Sequence, residues 1–284
     1  MRFNAASDAT GALVIARPII NAVTGAENSE LDSSPLAGIA GGVNISSSSQ
    51  FQGWEINFAV NGQRQEGLNW SGLIGFRALD LQESILIQDS FRDVTGFPGG
   101  AGLTFLGAPV MTGAPLTDLD SFRVHNQFWG PQIGGRFEWT RDIWTLNVVG
   151  KVALGWSQEL AVVSGSTTAV VNPGDARATT VGGVLTQASN TGRYFRNAFA
   201  VVPAAGLNLT CQLTPRISAH VGYDYLYWSN VLRPGDAIDR TVNRFAVPSD
   251  QNYGLGTGPA RPAFNFQSTS YWAQGISFGL EFKF

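Results

Sequence analysis

The chain contains two histidines, His125 and His220, and this scarcity limits the acid–base and metal chemistry that the sequence could support. His220 and Asp224 share one face of a predicted strand, but a rise of about 3.3 Å per residue places them about 13 Å apart. That separation is too large for direct coupling, so we interpret His220 as a structural residue. Three serines that lie within predicted strands, Ser157, Ser218 and Ser277, are not read as nucleophiles. We therefore expect no catalytic residue.

Metal and phosphate sites have little support in the sequence. Two glycine-rich stretches, 96–102 and 254–260, lack the Lys-[Ser/Thr] pair of a phosphate-binding loop. Asp236 and Asp239 could ligate calcium, but the ligand spacing of a calcium loop is missing, so a turn is favoured. The single cysteine, Cys211, excludes an intrachain disulfide and argues against a cysteine-based metal site. We therefore predict no metal and no cofactor.

Charged side chains recur at alternate positions of the predicted strands, opposite the large apolar residues. The set that we predict to line a common interior is Glu55, Arg77, Arg136, Glu138, Lys151, His220, Asp224, Glu281 and Lys283. In a closed barrel these groups would either pair and fill a narrow interior or form a polar path for small solutes with weak ion selectivity. Barrels of about 8 strands are filled by side chains, whereas those of about 16–18 leave an aqueous channel. A barrel of intermediate size favours a narrow or plugged interior.

The elements that must position these side chains are long amphipathic strands. Residues 200–228 form a predicted hairpin with its turn at Thr214-Pro215, and both arms alternate with period two. That period is typical of extended strands, because successive side chains point to opposite faces. Each arm has about 14 residues, against about 5–6 for most globular strands.

Aromatic residues mark the ends of the apolar faces, as in barrels whose Tyr and Trp side chains lie at the headgroup layers of a bilayer. The predicted interface set is Trp54, Trp70, Trp139, Trp144, Trp156, Tyr223, Tyr225, Tyr227, Trp272 and Phe284. The strand Ser121–Trp139 is predicted to bend at Gly130-Pro131, with Phe122 and Val124 facing outward.

The composition is that of a chain with little ionic surface. Charged residues make up 14%, against roughly 25% in ordinary globular domains. The sequence contains no apolar run of about 18 residues, the length that would predict a transmembrane helix. A formal net charge of −3 without a basic block argues against a nucleic-acid partner. The opening MRFNAASDAT lacks a secretory signal pattern, and we expect the true N-terminus to lie upstream.

Connection lengths indicate an outer-membrane barrel. Short joins, predicted at 46–50, 80–82, 140–142 and 214–215, alternate with longer ones at 61–67, 92–120, 159–196 and 231–266. This is the rhythm of periplasmic turns and extracellular loops. Counting Gly11–Ile20 as a strand gives about ten visible strands, and reading it as an exposed loop, which Pro18 also allows, gives nine. We expect a parent barrel of about twelve. The predicted fold is an all-β, antiparallel, transmembrane up-and-down β-barrel, with 1–284 as a single domain truncated at its N-terminus.

A soluble β-sandwich or an adhesin repeat is the alternative fold, since its strands also alternate. Two features favour the membrane barrel. Trp and Phe occupy the apolar face of nearly every strand. The predicted strands of about 12–17 residues are also longer than a sandwich needs. They slightly exceed the ~9–11 residues that cross a bilayer, so some would project beyond it.

Five segments carry a family resemblance: Phe128–Trp139, Trp144–Gly155, Gly182–Tyr194, Phe199–Asn243 and Tyr271–Phe284. They resemble the β-barrel porin-7 family of bacterial outer-membrane proteins. Phe199–Asn243 is the most specific of them, and the resemblance covers most of the chain. It implies a barrel in the outer membrane and supplies no catalytic residues.

The sequence therefore predicts an integral outer-membrane protein, porin-like or structural, that passes small solutes if its narrow polar lumen is open. Its expected partners are the lipid bilayer and the assembly machinery that reads a C-terminal strand ending in Phe284. Two alternatives stay open: a surface-exposed β-rich binding or adhesion protein that acts through its long loops, and an outer-membrane lipid hydrolase. The sequence leaves the oligomeric state open.

Overall fold

The computed structural model describes residues 1–62, 66–94, 102–171 and 176–283, and almost all regular structure within them is β-strand. In chain order the strands are β1 (Arg2–Ala6), β2 (Ile15–Asn21), β3 (Glu27–Ser33), β4 (Ile39–Asn61), β5 (Leu68–Asp93), β6 (Thr104–Phe105), β7 (Ala108–Pro109), β8 (Leu116–Arg141), β9 (Trp144–Ala169), β10 (Ala178–Val181), β11 (Gly192–Thr214), β12 (Ile217–Val231), β13 (Thr241–Val242) and β14 (Thr269–Phe282). Two short 3-10 helices, Pro234–Ala237 and Arg244–Ala246, lie between β12 and β14. Within the described ranges no helix is long and apolar enough to cross a membrane.

The wall of the molecule is one antiparallel sheet, as the sequence predicts. Eight strands follow the order β1-β4-β5-β8-β9-β11-β12-β14, and β10 pairs with β9 outside this path. The sheet curls so far that the rings of Phe51 on β4 and Tyr271 on β14 meet across the interior, with centroids 5.0 Å apart. Among the described residues no backbone pairing joins β14 to β1 or β4. The wall is therefore a curled half-barrel with an open seam.

Side chains along the wall strands alternate between the concave interior and the convex exterior. In β9, Trp144 and Trp156 point outward and are exposed, while Ser157 and Glu159 point inward and are fully buried. This is the geometry of an extended strand, whose successive side chains project to opposite faces of the sheet. Within each strand, odd and even residue numbers therefore point to opposite faces, so the sequence alone separates the inward from the outward side chains.

The wall has fewer and longer strands than the sequence predicted. Residues 46–50 and 80–82, predicted as turns, lie inside β4 and β5, whose pairing continues without a break from Ile39↔Asp93 to Asn61↔Ser71. These residues were mistaken for turns because the outward face changes from apolar to Ser and Gln there. The backbone ladder does not change. Four predicted strands are thus two, and the predicted count of about ten is wrong for the described wall, which has eight.

The segment Gly11–Ile20 is not a wall strand either. Its residues 15–20 belong to β2, which pairs with β3 and β13 in a separate three-stranded sheet. Ile15 and Ile19 of β2 are buried against inward residues of the wall, including Val43 and Phe122. The apolar, β-branched composition that suggested a membrane strand instead supports a hairpin packed inside the curl.

Long and short connections alternate along the wall, and this defines two ends of the molecule. The joins β4–β5, β8–β9 and β11–β12 are short, and the last two are two residues each, 142–143 and 215–216. The stretch 61–67, predicted as a long join, belongs to this short-turn end. The connections that leave β1, β5, β9 and β12 gather at the opposite, long-loop end, which also receives the hairpin β2–β3.

Candidate functional site

A polar cavity of about 450 Å³ occupies the interior toward the short-turn end. Charged and amide side chains line it together with small residues from β4, β5, β8, β9, β11, β12 and β14. The polar side chains of its lining are Glu55, Arg77, Arg136, Asn147, Lys151, Asn208 and Asp224. Alanine and glycine, at Ala204, Gly206, Gly222, Ala273 and Gly275, leave the space open.

On the long-loop side of the cavity, the wall strands are joined by a hydrogen-bond network around Glu55. Arg77, which lies directly opposite Glu55 in the β4–β5 ladder, donates from Nε at 3.2 Å and also through Nη2. Lys151 of β9 donates to the other carboxylate oxygen. Gln132 of β8 donates to Glu55 at 3.2 Å and to Asn57. One carboxylate thus cross-links β4, β5, β8 and β9, and charge-assisted bonds of this kind are the strong ones.

Two opposite charges on the cavity wall have no polar partner within the described residues. They are Arg136 and Asp224, and both are exposed to the cavity. The ladders Arg136↔Val149, Val149↔Gly206 and Gly206↔Asp224 place them in one row, three strands apart. At about 4.8 Å per strand that is about 14 Å along the sheet. The cavity therefore carries separated, solvent-facing charges of opposite sign.

An apolar layer, which we call the septum, crosses the interior on the long-loop side of this cavity. It comprises the buried side chains Leu79, Leu81, Phe128, Val202 and Trp228, with Phe51 and Tyr271 packed against them. The Trp228 and Phe128 rings pack edge to face with centroids 6.1 Å apart. Trp228 has no exposed surface. The septum therefore lies between the polar cavity and the contacts on the long-loop side.

Beyond the septum, the chain that follows β12 is tied to the inner wall. Asn126 of β8 donates to the carbonyl of Leu232 at 2.9 Å and accepts from its N–H at 2.8 Å. Arg233 pairs with the buried Glu83 of β5, and its Nη2 lies 2.9 Å from Oε1. Arg196 and Glu159 form a second ion pair at 2.6 Å on β11 and β9. The bonds of Leu232 and Arg233 hold the segment after β12 inside the curled wall, and the Arg196–Glu159 pair joins two wall strands.

The hairpin β2–β3 closes the long-loop end. Arg17 of β2 bonds to Asp120 of β8 at 2.8 Å and pairs with Asp89 of β5. Asp120 also accepts bonds from the Leu185 N–H at 3.0 Å and the Thr186 hydroxyl at 2.6 Å. Two segments that are distant in sequence therefore dock on the same carboxylate.

Buried carboxylates outnumber cations in this region. Burial raises the pKa of Asp118 to about 6, although the Ser249 and Thr167 hydroxyls partly offset it by donating to the carboxylate. Burial likewise raises the pKa of Asp32 of β3 to about 6, opposed by the Arg17 charge. Both Asp32 oxygens lack a hydrogen-bond partner among the described residues. Desolvation thus favours the protonated form of both groups.

This stratified interior, enclosed by a curled antiparallel wall, is that of a barrel protein. The family model for putative beta barrel porin-7 matches residues 2–284. The chain belongs to this family. Neither the curated proteins nor the solved structures contain a match to it. Membership confirms the family resemblance and describes the chain as a porin-like β-barrel protein.

The predicted interior residues fall into two groups. Five of them, Glu55, Arg77, Arg136, Lys151 and Asp224, line the polar cavity. Four lie nearer the short-turn end: Glu138 accepts a bond from Asn69 at 3.2 Å, His220 faces Gly279, Glu281 faces Ser218, and Lys283 follows β14. The sequence therefore predicts side-chain direction. A role for these residues in a solute path stays a prediction.

The predicted aromatic residues lie mainly on the convex face. Trp54, Trp70, Trp139, Trp144, Trp156, Tyr223, Tyr225 and Trp272 are exposed there, Tyr227 is half-buried, and Phe284 lies outside the described residues. Trp129 was missed, and Phe122 and Val124 were wrongly placed outward, because the predicted bend at Gly130-Pro131 would have reversed the parity. The register stays constant across it, from Trp129↔Trp156 to Gln132↔Ala153. Phe122 and Val124 therefore point inward and are buried.

Several interior residues escaped the sequence analysis altogether. Asp118 and Asp120 were assigned to a long loop, and Arg17 to an outer strand. The one available signal was the alternation of Asp118 and Asp120 with Leu119 and Ser121, which continues that of the following strand.

The hydrolase alternative has a sequence feature that was overlooked, since residues 275–279 read Gly-Ile-Ser-Phe-Gly. A nucleophile elbow needs this pattern at a strand-to-helix turn, whereas here it lies within the regular strand β14. Ser277 is a diagonal neighbour of His220 on the inner face, through the pairs His220↔Gly279 and Gly222↔Ser277. Within the described residues no hydrogen bond joins the two, so the arrangement lacks the activated serine of a hydrolase.

The structure also bears on the metal and calcium hypotheses. Asp239 accepts the Thr241 N–H at 2.9 Å and the Ala263 N–H at 2.9 Å, and Arg261 donates to it at 2.8 Å. These bonds describe a turn. Within the described ranges no group of three His, Cys, Asp or Glu residues is placed to hold a metal ion.

Proposed function

We propose that this chain is an integral protein of the bacterial outer membrane whose polar lumen is closed on the long-loop side in the resting state. It would serve as a structural barrel, or as a gated route for small solutes, and not as an enzyme. The septum carries the closed-lumen proposal, because it places buried aromatic and aliphatic side chains across the interior, on the long-loop side of the polar cavity.

The convex face supports membrane insertion. A row of aromatic side chains, Trp54, Trp129, Trp156 and Phe199, crosses the wall through the pairs Trp54↔Ala78, Ala78↔Trp129, Trp129↔Trp156 and Phe199↔Trp156. We call it the aromatic row. The small Ala78 lets the Trp54 and Trp129 rings meet at 5.9 Å. Immediately beyond it lies a row of polar residues, Gln52, Asp80, Gln127, Gln158 and Asn197.

The dimensions of the apolar belt fit a bilayer. Trp129 in the aromatic row and Trp139 near the short-turn end lie on the outer face of the same strand. Ten residues at about 3.4 Å each, tilted by about 40°, give a height of about 26 Å, close to the ~25 Å apolar band of outer-membrane barrels. The wall beyond the aromatic row would then stand outside the hydrocarbon.

Insertion also requires that the seam be closed. Within the described residues, β4 pairs with β1 only over Gly42–Ser46, and one edge of β14 is unpaired. An unpaired strand edge does not persist in hydrocarbon, because each exposed backbone group lacks water as a partner. Backbone pairing must therefore cover both edges once the protein is in the membrane.

Planar-bilayer recording of the refolded protein tests the proposal. Inserted wild-type protein should show protection from added protease and a heat-modifiable gel mobility, but no stable conductance steps. Stable, large steps from the wild type would contradict the closed lumen. Failure to partition into bilayers or detergent would contradict the membrane assignment and favour the surface-exposed binding protein.

A further inference from the structure

The wall beyond the aromatic row, which we call the upper wall, separates its charges by face. Its inward positions on β5, β8 and β9 carry six acids, Glu83, Asp89, Asp93, Asp118, Asp120 and Glu159, all buried. Its outward positions on the described parts of β4, β5, β8, β9 and β11 carry Arg92, Arg123, Arg193 and His125, with Asp80 as the only acid. In a chain of net charge −3, this outer face is basic.

Two of these arginines lie side by side. Arg123 of β8 and Arg193 of β11 both pair with Val162 of β9, one from each side. Two strand spacings place their Cα atoms about 9.5 Å apart on the same face. Both are exposed, and neither has a hydrogen bond or an ion pair within the described residues. Two long guanidinium side chains at this spacing can converge on one anionic group.

A groove of about 440 Å³ runs beside Arg123 on the upper wall. The outward polar side chains that line it are Ser48, Gln50, Gln82, Ser84, Arg123 and His125. His125 is held by Asp80, with Nε2 and Oδ2 2.6 Å apart, and Gln82 donates to the same carboxylate at 3.0 Å. These partners occupy the Asp80 carboxylate, and the groove presents amides, hydroxyls and an arginine.

The neighbouring surface is apolar. Leu160 and Val162 line the groove, and Phe195, which pairs with Leu160, is 60% exposed. A ligand that fits this combination carries phosphate, hydroxyl groups and hydrocarbon together. A free sugar lacks the anionic group, and a free phosphate would leave the amides and the apolar surface unused.

The height of the groove above the aromatic row indicates which of these ligands can reach it. Arg123 lies six residues beyond Trp129 on the same face of β8. At about 3.3 Å per residue and a tilt of about 40°, it lies about 15 Å above the aromatic row, in the headgroup layer outside the hydrocarbon. We propose that Arg123, Arg193 and the adjoining groove bind the phosphorylated sugar headgroup of a glycolipid in the outer leaflet. This inference rests on the proposed membrane orientation.

Each part of the proposed ligand has a matching type of side chain in the groove or beside it. The planar guanidinium of arginine binds phosphate oxygens through two parallel N–H bonds, which is why Arg is preferred at such sites. Gln50 and Gln82 can donate to and accept from sugar hydroxyls. Phe195 would pack on the first methylenes of an acyl chain.

Binding of lipid A, a phosphorylated and acylated glucosamine disaccharide, to the folded protein in detergent tests the inference. Arg123→Gln and Arg193→Gln should each weaken binding about tenfold, the value of one charge-assisted hydrogen bond of about 1.4 kcal/mol or more. Arg141→Gln is the matched control, since Arg141 is an exposed arginine on the same strand and face at the short-turn end. It should leave the affinity unchanged.

Three results would overturn the inference. They are equal loss in the Arg141→Gln control, equal affinity for dephosphorylated lipid A, and full competition by millimolar inorganic phosphate, which would indicate a free-anion site. A photoreactive lipid A gives a readout independent of the substitutions, and it should label peptides containing Val162 or Phe195. These measurements are made in detergent, so they are scored separately from bilayer insertion. A protein that inserts and does not bind lipid A retains the proposed function and loses this inference.

Discussion

Arg17 of the hairpin β2–β3 and Asp120 of the wall strand β8 form a buried hydrogen bond of 2.8 Å across 103 residues of sequence. Arg17 also pairs with Asp89, so a single cation fastens the hairpin to two wall strands. Removing one partner of a buried ion pair leaves an uncompensated charge, which costs about 3–5 kcal/mol. Arg17→Gln should therefore release the hairpin, seen as faster hydrogen exchange of Ile15–Asn21.

The control for this prediction lies on the same small sheet. Arg240 and Glu27 form an exposed ion pair at 3.6 Å, and such pairs contribute about 0–1 kcal/mol. Arg240→Gln should leave exchange of the hairpin unchanged. Similar acceleration in both variants would show that Arg17 has no special role in docking.

The alternation of the sequence accounts for the wall but not for what fills it. Parity places Glu55, Lys151 and Asp224 inward because a strand ladder admits only two side-chain directions. Parity does not say where a strand ends, and β4 and β5 run past the aromatic row without any break in pairing. A polar outward face such as Ser46–Gln50 therefore looks like a turn in the sequence.

The interior layers depend on contacts between distant segments, which no local pattern encodes. Arg17 lies in a stretch whose composition fits a membrane strand equally well, and its partners are 72 and 103 residues away. Trp228 directly follows the predicted interface residue Tyr227, yet it is fully buried against Phe128 of β8. Only the curl of the sheet brings these side chains together.

Docking of the hairpin should weaken as the pH rises. Burial raises the pKa of Asp32 and of Asp118 to about 6, from the ordinary aspartate value of 3.8. The docked state therefore binds protons more tightly than the released state, so its stability is fully present below about pH 4 and falls as the pH rises through 6. Protease cleavage of Glu27–Ser33 should be faster at pH 8 than at pH 5, relative to a denatured control at each pH.

Asp118→Asn isolates one contributor to this pH dependence. An amide does not titrate, so the variant should show a smaller change in hairpin release between pH 5 and pH 8. Asp32 and Asp89, whose pKa values are also raised by burial, remain and keep part of the effect. An unchanged pH profile in Asp118→Asn would exclude Asp118 as its source.

The septum can be opened at Trp228. Trp228→Ala removes a fully buried indole, a change that costs about 3–5 kcal/mol where the core does not collapse. It should lower the unfolding temperature and introduce conductance steps in a planar bilayer. Trp156→Ala, which truncates an outward indole that is 60% exposed, should leave the conductance at the wild-type level.

The charges of the polar cavity should then determine ion selectivity. In the background of Trp228→Ala, any current must pass Arg136, which is exposed to the cavity and has no polar partner among the described residues. Arg136→Glu replaces a cation by an anion in the cavity that also contains Asp224, so the pore should shift toward cations, measured as a change in reversal potential under a salt gradient. Arg141→Glu changes the same charge on the outward face of the same strand, and screening over about 10 Å at 0.1 M salt should suppress its effect. A reversal potential that responds equally to both substitutions would mean that the current does not pass through the cavity lined by Arg136.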